Sequence, residues 1–122
     1  MLKRLRAHKV SFKHAFDGFM HNIKTHPNFR FHLIATICIV LLGIYFEITV
    51  TEWLILVFTV NMVLVAEMVN TSIESMVDLI TLERREDARI AKDVSAAMVL
   101  VSATMAVIVG LIVFLPKIIS IL

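Results

Sequence analysis

The chain has 122 residues, 59% of them hydrophobic, and its 12 basic and 10 acidic residues give a formal net charge of +2. A mean hydropathy of +0.88 is too high for an ordinary soluble domain and suits one small integral membrane domain, 1–122. The single cysteine, Cys38, excludes an intrachain disulfide, and no sequence motif for DNA or RNA binding is present.

The basic start, Met1 to Lys13, leads into an amphipathic stretch and not into an unbroken apolar run, so a cleaved signal peptide is not expected. Between Lys9 and Thr25 the residues Phe12, Phe16, Phe19, Met20 and Ile23 recur at helical spacing, with Lys13, Asp17, His21 and Lys24 on other faces. The pattern predicts an amphipathic N-terminal region, 1–27, that either lies on the membrane surface or packs on its own helices. Its lysines and arginines suit anionic lipid head groups better than nucleic acid. Pro27 breaks this helix and pushes His26 toward an extended conformation. All five histidines, His8, His14, His21, His26 and His32, fall in the first 32 residues without a metal-binding spacing, and they read as solvated or interfacial.

Three apolar segments follow, at about 31–46, 53–80 and 94–115. The last carries no charge and satisfies the need for about 20 apolar residues to cross the hydrocarbon. The first is short and contains His32. Trp53 at the start of the second fits an interfacial anchor, and Thr59 and Asn61 within it suit contacts between helices. The expected fold is therefore an all-α membrane protein, an amphipathic surface helix followed by three transmembrane helices.

The second segment ends in Glu67-Met-Val-Asn70-Thr-Ser-Ile-Glu74-Ser-Met-Val-Asp78. At 100° per residue, offsets of three, seven and eleven place Glu67, Asn70, Glu74 and Asp78 within a wedge of roughly 80° on one helical face. An ionised carboxylate near the bilayer centre costs about 2.5–3.5 kcal/mol on insertion scales, so such a stripe implies a metal, a basic group or a polar substrate. The mixed-sign connector from Thr81 to Lys92 reads as solvated, and Glu83, Arg84, Arg85, Glu86 and Asp87 are given no catalytic part. Lys92 and Asp93 differ, because they open the third span beside small residues that let it approach the second. A lysine there can hold an anionic phosphate while the acids hold Mg²⁺.

Seven lysines and arginines precede the first span, none lies in the 47–52 connection, and Arg84, Arg85, Arg89 and Lys92 follow the second. By the positive-inside rule the N-terminus and the acidic end of the stripe are cytoplasmic. Gly18, Gly43 and Gly110 are the only glycines, which leaves no GxxxxGK[ST] or GxGxxG phosphate loop. Intramembrane acids also suit a small ion or proton transporter, or a catalytically inactive adaptor that pairs subunits through them. A transport path needs polar groups through the full thickness, and the third span offers only Ser and Thr.

The Glu67-x-x-Asn70-Thr-Ser-Ile-Glu74-x-x-x-Asp78 segment, with Ala91-Lys92-Asp93 and Ala96-Ala97-Met98-Val99-Leu100, resembles the small bacterial membrane lipid kinases, the prokaryotic diacylglycerol kinase and undecaprenol kinase family. The likeness extends to Ser11-Phe12-Lys13-x-Ala15-Phe16-x-Gly18, Asn28-Phe29-Arg30-Phe31-His32-Leu33, Thr51-Glu52-Trp53 and Phe114-Leu115-Pro116-Lys117. It implies a homotrimer in the bacterial inner membrane, with composite sites at the cytoplasmic interface where ATP and Mg²⁺ meet diacylglycerol or undecaprenol. It also implies roles: Glu67 as base, Asn70 as the residue that orients the site, Glu74 on Mg²⁺ and nucleotide, Lys92 and Asp93 on nucleotide, Arg30 as a further phosphate contact, and Asp78 in support. Where the family carries a second metal-binding glutamate this chain has His26, and imidazole suits softer metals than Mg²⁺.

Overall fold

The computed structural model describes the backbone of residues 2–122 and the side chains of residues 11–122. Four helices follow one another, α1 (Leu2–Thr25), α2 (Pro27–Tyr45), α3 (Val50–Ile80) and α4 (Glu86–Ile121), with no strand among the described residues. The all-α expectation holds. The helices α2, α3 and α4 are each long and apolar enough to span a bilayer. At 1.5 Å per residue α3 and α4 run about 46 and 54 Å, more than a hydrocarbon core of about 30 Å, so each tilts or projects beyond it. The helix α4 begins at Glu86, so part of the expected connector is its first turns.

The accessible surface is 9512 Å², against roughly 6,600 Å² for a compact soluble chain of this mass. Few side chains are enclosed, and most Leu, Ile, Val and Phe face outward. That inversion suits a chain whose solvent is lipid or a second copy.

Pro27 marks the boundary between α1 and α2 as the sequence suggests, since His26 is extended at φ −115° and ψ 105° and Pro27 takes the first helical position. The end of α1 is then held from the far side. The Arg30 guanidinium donates through Nη1 to the carbonyls of Ile23 at 3.0 Å and Lys24 at 3.1 Å, placing a cation on the last turn, where unpaired carbonyls collect. Phe29, fully buried, meets Phe19 edge-on at 5.4 Å and fixes α1 against α2. The apolar stripe of α1 therefore divides: Phe19, Met20 and Ile23 are half-buried on the chain's own helices, whereas Phe12 and Phe16 stay exposed. The basic side chains of Lys3, Arg4, Arg6 and Lys9, and that of His8, lie outside the described residues.

The α2–α3 turn closes by backbone geometry. Ile48 N–H bonds to Gly43 C=O at 3.1 Å and Glu47 N–H to Ile44 C=O at 3.2 Å, the paired bonds of a Schellman ending, with Glu47 in the left-handed region at φ 48°. Thr49 and Glu52 then form a capping box at the start of α3, and the free carboxylate oxygen of Glu52 meets Lys117 Nζ of α4 at 3.0 Å. Around this end gathers a small core of Ile48, Leu56, Val113 and Phe114, with Phe46 and Trp53 against it. Trp53 lies over Gly43, so close that a Cβ there would come within 2.6 Å of the indole. Replacing Gly43 by Leu is accordingly expected to open the turn and cost about 1–3 kcal/mol by overpacking. Thermal unfolding in detergent, read through the single tryptophan, checks this: the midpoint should fall for Gly43→Leu and hold for Gly110→Leu, where nothing lies within 4 Å.

Candidate functional site

The polar stripe of α3 is graded in depth. Glu67 is 2% exposed, Asn70 and Glu74 are half-buried, and Asp78 is exposed. A single helical face thus runs from the interior between helices to open surroundings over eleven residues, about 16 Å at 1.5 Å each. The four side chains do not meet one common partner. Each finds its own neighbour.

Glu67 meets α2. Its Oε1 lies 3.3 Å from Nε2 of His32, whose side chain is 17% exposed. The approach is not aligned as a hydrogen bond, and Glu67 Oε1 is the buried side-chain oxygen without a hydrogen-bond partner among the described residues. Buried polar atoms are nearly always partnered, so an orphaned carboxylate oxygen in an apolar setting marks a place kept for chemistry and not for stability. A cavity of about 330 Å³ opens directly beside it, lined by Asn28, Phe31, His32, Glu67, Asn70 and the α4 residues Ala96, Val99, Leu100 and Ala103. The α2 and α3 walls carry the polar groups together with Phe31, and the α4 wall is small or apolar.

Asn70 meets α4. The buried Ser95 hydroxyl is 2.7 Å from Asn70 Oδ1 and 2.9 Å from the Lys92 carbonyl, so one hydroxyl proton serves two acceptors. With its oxygen held by Ser95, the amide presents Nδ2 to Glu74 Oε1 at 3.4 Å. Ser95 thereby sets which way the Asn70 amide points. Asp78 meets α4 as well, through Lys92 Nζ at 2.6 Å, whereas Asp93 turns to Arg89 at 2.9 Å. Lys92 is therefore paired across helices and not with its sequence neighbour. Around this outer pair the connector curls into a groove of about 620 Å³ lined by Asp78, Arg84, Arg85, Arg89, Lys92 and Asp93 among others. The connector read as a solvated link thus forms the wall of a charged recess.

Two expected residues stand elsewhere. Arg30 commits one guanidinium nitrogen to the end of α1 and keeps its others. His26 sits at the hinge with Nδ1 2.7 Å from the Thr25 hydroxyl. Among the described residues no three His, Cys, Asp or Glu side chains gather as a ready-made metal nest. That is a poor setting for zinc but compatible with Mg²⁺, which keeps several waters and is bound by one or two carboxylates plus substrate phosphates. Glu74, half-buried and bound only weakly to Asn70, is the carboxylate that fits.

His32 and Ser95 are the contacts that the linear sequence did not single out. His32 falls one helical turn after Phe29, whose total burial shows which face of α2 turns inward; Ser95 falls one turn after Lys92 on α4.

Residues 13–114 match the family described as prokaryotic diacylglycerol kinase. The chain is 38% identical over 107 residues to an undecaprenol kinase of Bacillus subtilis (strain 168), covering 88% of this chain and 87% of that protein. It is 34% identical over 114 residues to a diacylglycerol kinase of Synechocystis sp. (strain ATCC 27184 / PCC 6803 / Kazusa), covering 93% of this chain and 65% of that longer protein.

The two α3–α4 contacts differ in burial and should differ in worth. Ser95→Ala leaves Asn70 Oδ1 without its partner and is expected to cost about 1–3 kcal/mol. Lys92→Met removes an ion pair whose side chains are 41% and 54% exposed, and costs under about 1 kcal/mol. Unfolding of both variants in the same detergent ranks them, and a larger loss for Lys92→Met contradicts the packing described.

Proposed function

The chain belongs to the prokaryotic diacylglycerol kinase family and is a membrane lipid kinase, and on that premise we propose that it transfers the γ-phosphoryl group of ATP, with Mg²⁺, to a lipid hydroxyl at the cytoplasmic face of a bacterial inner membrane. The observation that carries the reading is the depth gradient of the α3 stripe, from Glu67 at 2% exposure beside a cavity whose α4 wall is apolar to Asp78 and Lys92 in a charged groove. A lipid alcohol and a soluble nucleotide arrive from opposite surroundings. One helix that offers a buried carboxylate to the first and paired charges to the second suits their meeting.

Phosphoryl transfer asks little covalent work of the protein beyond placement, charge on the phosphates and an acceptor for one proton. Glu67 takes the proton of the lipid hydroxyl, with Asn70 and its Ser95 anchor orienting the site next to it. Glu74 would hold Mg²⁺, and the ion would supply charge neutralisation at the phosphates. Lys92 has three N–H donors and spends one on Asp78, so two remain for phosphate. Asp93, braced by Arg89, and the free donors of Arg30 complete the nucleotide side. His26 stays at the hinge with Thr25 and leaves the metal to Glu74, water and nucleotide.

The greater identity to the undecaprenol kinase, over most of both chains, favours undecaprenol over diacylglycerol as acceptor. A homotrimer is the working assembly. Asn61 lies exposed on α3 between its start and Glu67, an amide that hydrocarbon cannot satisfy and a second copy can. The N-terminus, on the charge distribution already described, faces the cytoplasm.

In nanodiscs with γ-labelled ATP and Mg²⁺, label is expected in the extracted lipid, with greater kcat/KM for undecaprenol than for diacylglycerol, and to vanish on chelation. ATP turnover without lipid label, for both alcohols, contradicts the proposed reaction.

A further inference from the structure

Glu67 Oε1 is buried and lacks an aligned hydrogen bond, and the side chain brought to it is a single imidazole from another helix, His32 Nε2 at 3.3 Å. Both residues line the same cavity of about 330 Å³. Resting on the proposed role of Glu67 as base, we infer that His32 is its positioning residue: Nε2 holds one oxygen of the carboxylate so that the other is aimed at the lipid hydroxyl in the cavity. A carboxylate on a long Glu stem has several rotamers open to it, and general-base transfer needs the accepting oxygen within hydrogen-bond reach of the proton it takes. On α3 itself, Asn70 is turned away toward Ser95 and Glu74, and the Thr71 hydroxyl donates to the Glu67 backbone carbonyl at 3.0 Å. His32 is thus the group placed to choose the Glu67 rotamer. The 3.3 Å approach is within hydrogen-bond distance, and catalytic contacts of this kind often become aligned only when substrate is bound.

His32 is itself held from two directions. The fully buried Phe29 fixes the inward face of α2 one turn earlier. Thr36 Oγ1 donates to the His32 carbonyl at 2.7 Å one turn later. The ring therefore approaches Glu67 from a rigid stretch of helix.

The test uses purified full-length protein in nanodiscs with ATP and lipid acceptor both saturating. His32→Gly should lower kcat roughly a hundredfold, the scale of a misplaced reacting group, while KM for ATP and lipid changes little. Added imidazole should restore much of that kcat, because the vacated ring space adjoins the cavity. His32→Gln, whose amide nitrogen reaches about as far as Nε2, should exceed His32→Phe, which fills the space without a donor. A merely structural histidine would show neither the rescue nor that order. An unchanged kcat in His32→Gly overturns the inference, as does a lowered kcat in a nucleotide-binding protein that imidazole leaves untouched. If His32→Gly does not fold, equal turnover of His32→Gln and His32→Phe overturns it instead. Imidazole should have no effect in the Glu67→Gln, His32→Gly double variant. Full activity of Glu67→Gln alone overturns the base assignment and the inference with it, whereas an inactive Glu67→Gln beside an unchanged kcat in His32→Gly overturns the inference alone, so the two failures are told apart.

Discussion

A carboxylate enclosed by apolar helices is the constraint on which the rest of the structure turns. Glu67 contributes nothing to stability that an isosteric apolar residue would not exceed, since burying it loses hydration that a single misaligned contact at 3.3 Å does not replace. Its surroundings make sense only as a frame around it. α2 brings His32, and it can do so because Pro27 starts that helix and Phe29 orients it. α4 comes close through Ser95 and Ala96, small enough to admit a neighbouring helix, and Ser95 then turns Asn70 outward along the stripe.

The two ends of the molecule are built for different work. At the α2–α3 turn, a Schellman ending, a capping box, the Glu52–Lys117 pair and the Ile48, Leu56, Val113, Phe114 cluster lock three helices together. At the other end the ion pairs are exposed and the connector encloses an open groove, with the enclosed Phe29, Glu67 and Ser95 lying deeper between the helices. A firmly packed end and an open one fit the proposed reaction, in which a soluble donor enters while the proposed base, Glu67, stays in place. α3 is continuous through both, so the firm end determines the direction of the stripe at the open one.

Periodicity made much of this legible. Four polar residues at offsets of three, seven and eleven fall on one face in any α-helix, and apolar run length alone yields three spans, so the stripe and the all-α fold follow from the chain read as a line. Pro27 likewise acts locally. Partners across helices do not, because they depend on crossing geometry that no single helix contains. The sequence grouped His32 with four other histidines, and only the inward face of α2 separates it from them. Lys92 could have paired with Asp93 or Asp78, and the closeness of α3 and α4 decides for Asp78. The stripe of α1 allowed either membrane surface or self-packing, and the structure divides it at about Phe19 because only its last turns reach Phe29. The first turns of α4 escaped notice because a charged, apolar-poor segment lacks the periodicity that announces a helix.

The most direct test of this account separates binding from chemistry along the stripe. Calorimetry of Mg²⁺-nucleotide binding, beside lipid turnover with both substrates saturating, should find Glu67→Gln binding nucleotide within a few-fold of wild type and turning over roughly a hundredfold slower or worse, the scale of a lost general base. Glu74→Gln should lose nucleotide affinity as well. Wild-type turnover by Glu67→Gln would contradict the claim that the buried end of this helix receives the proton.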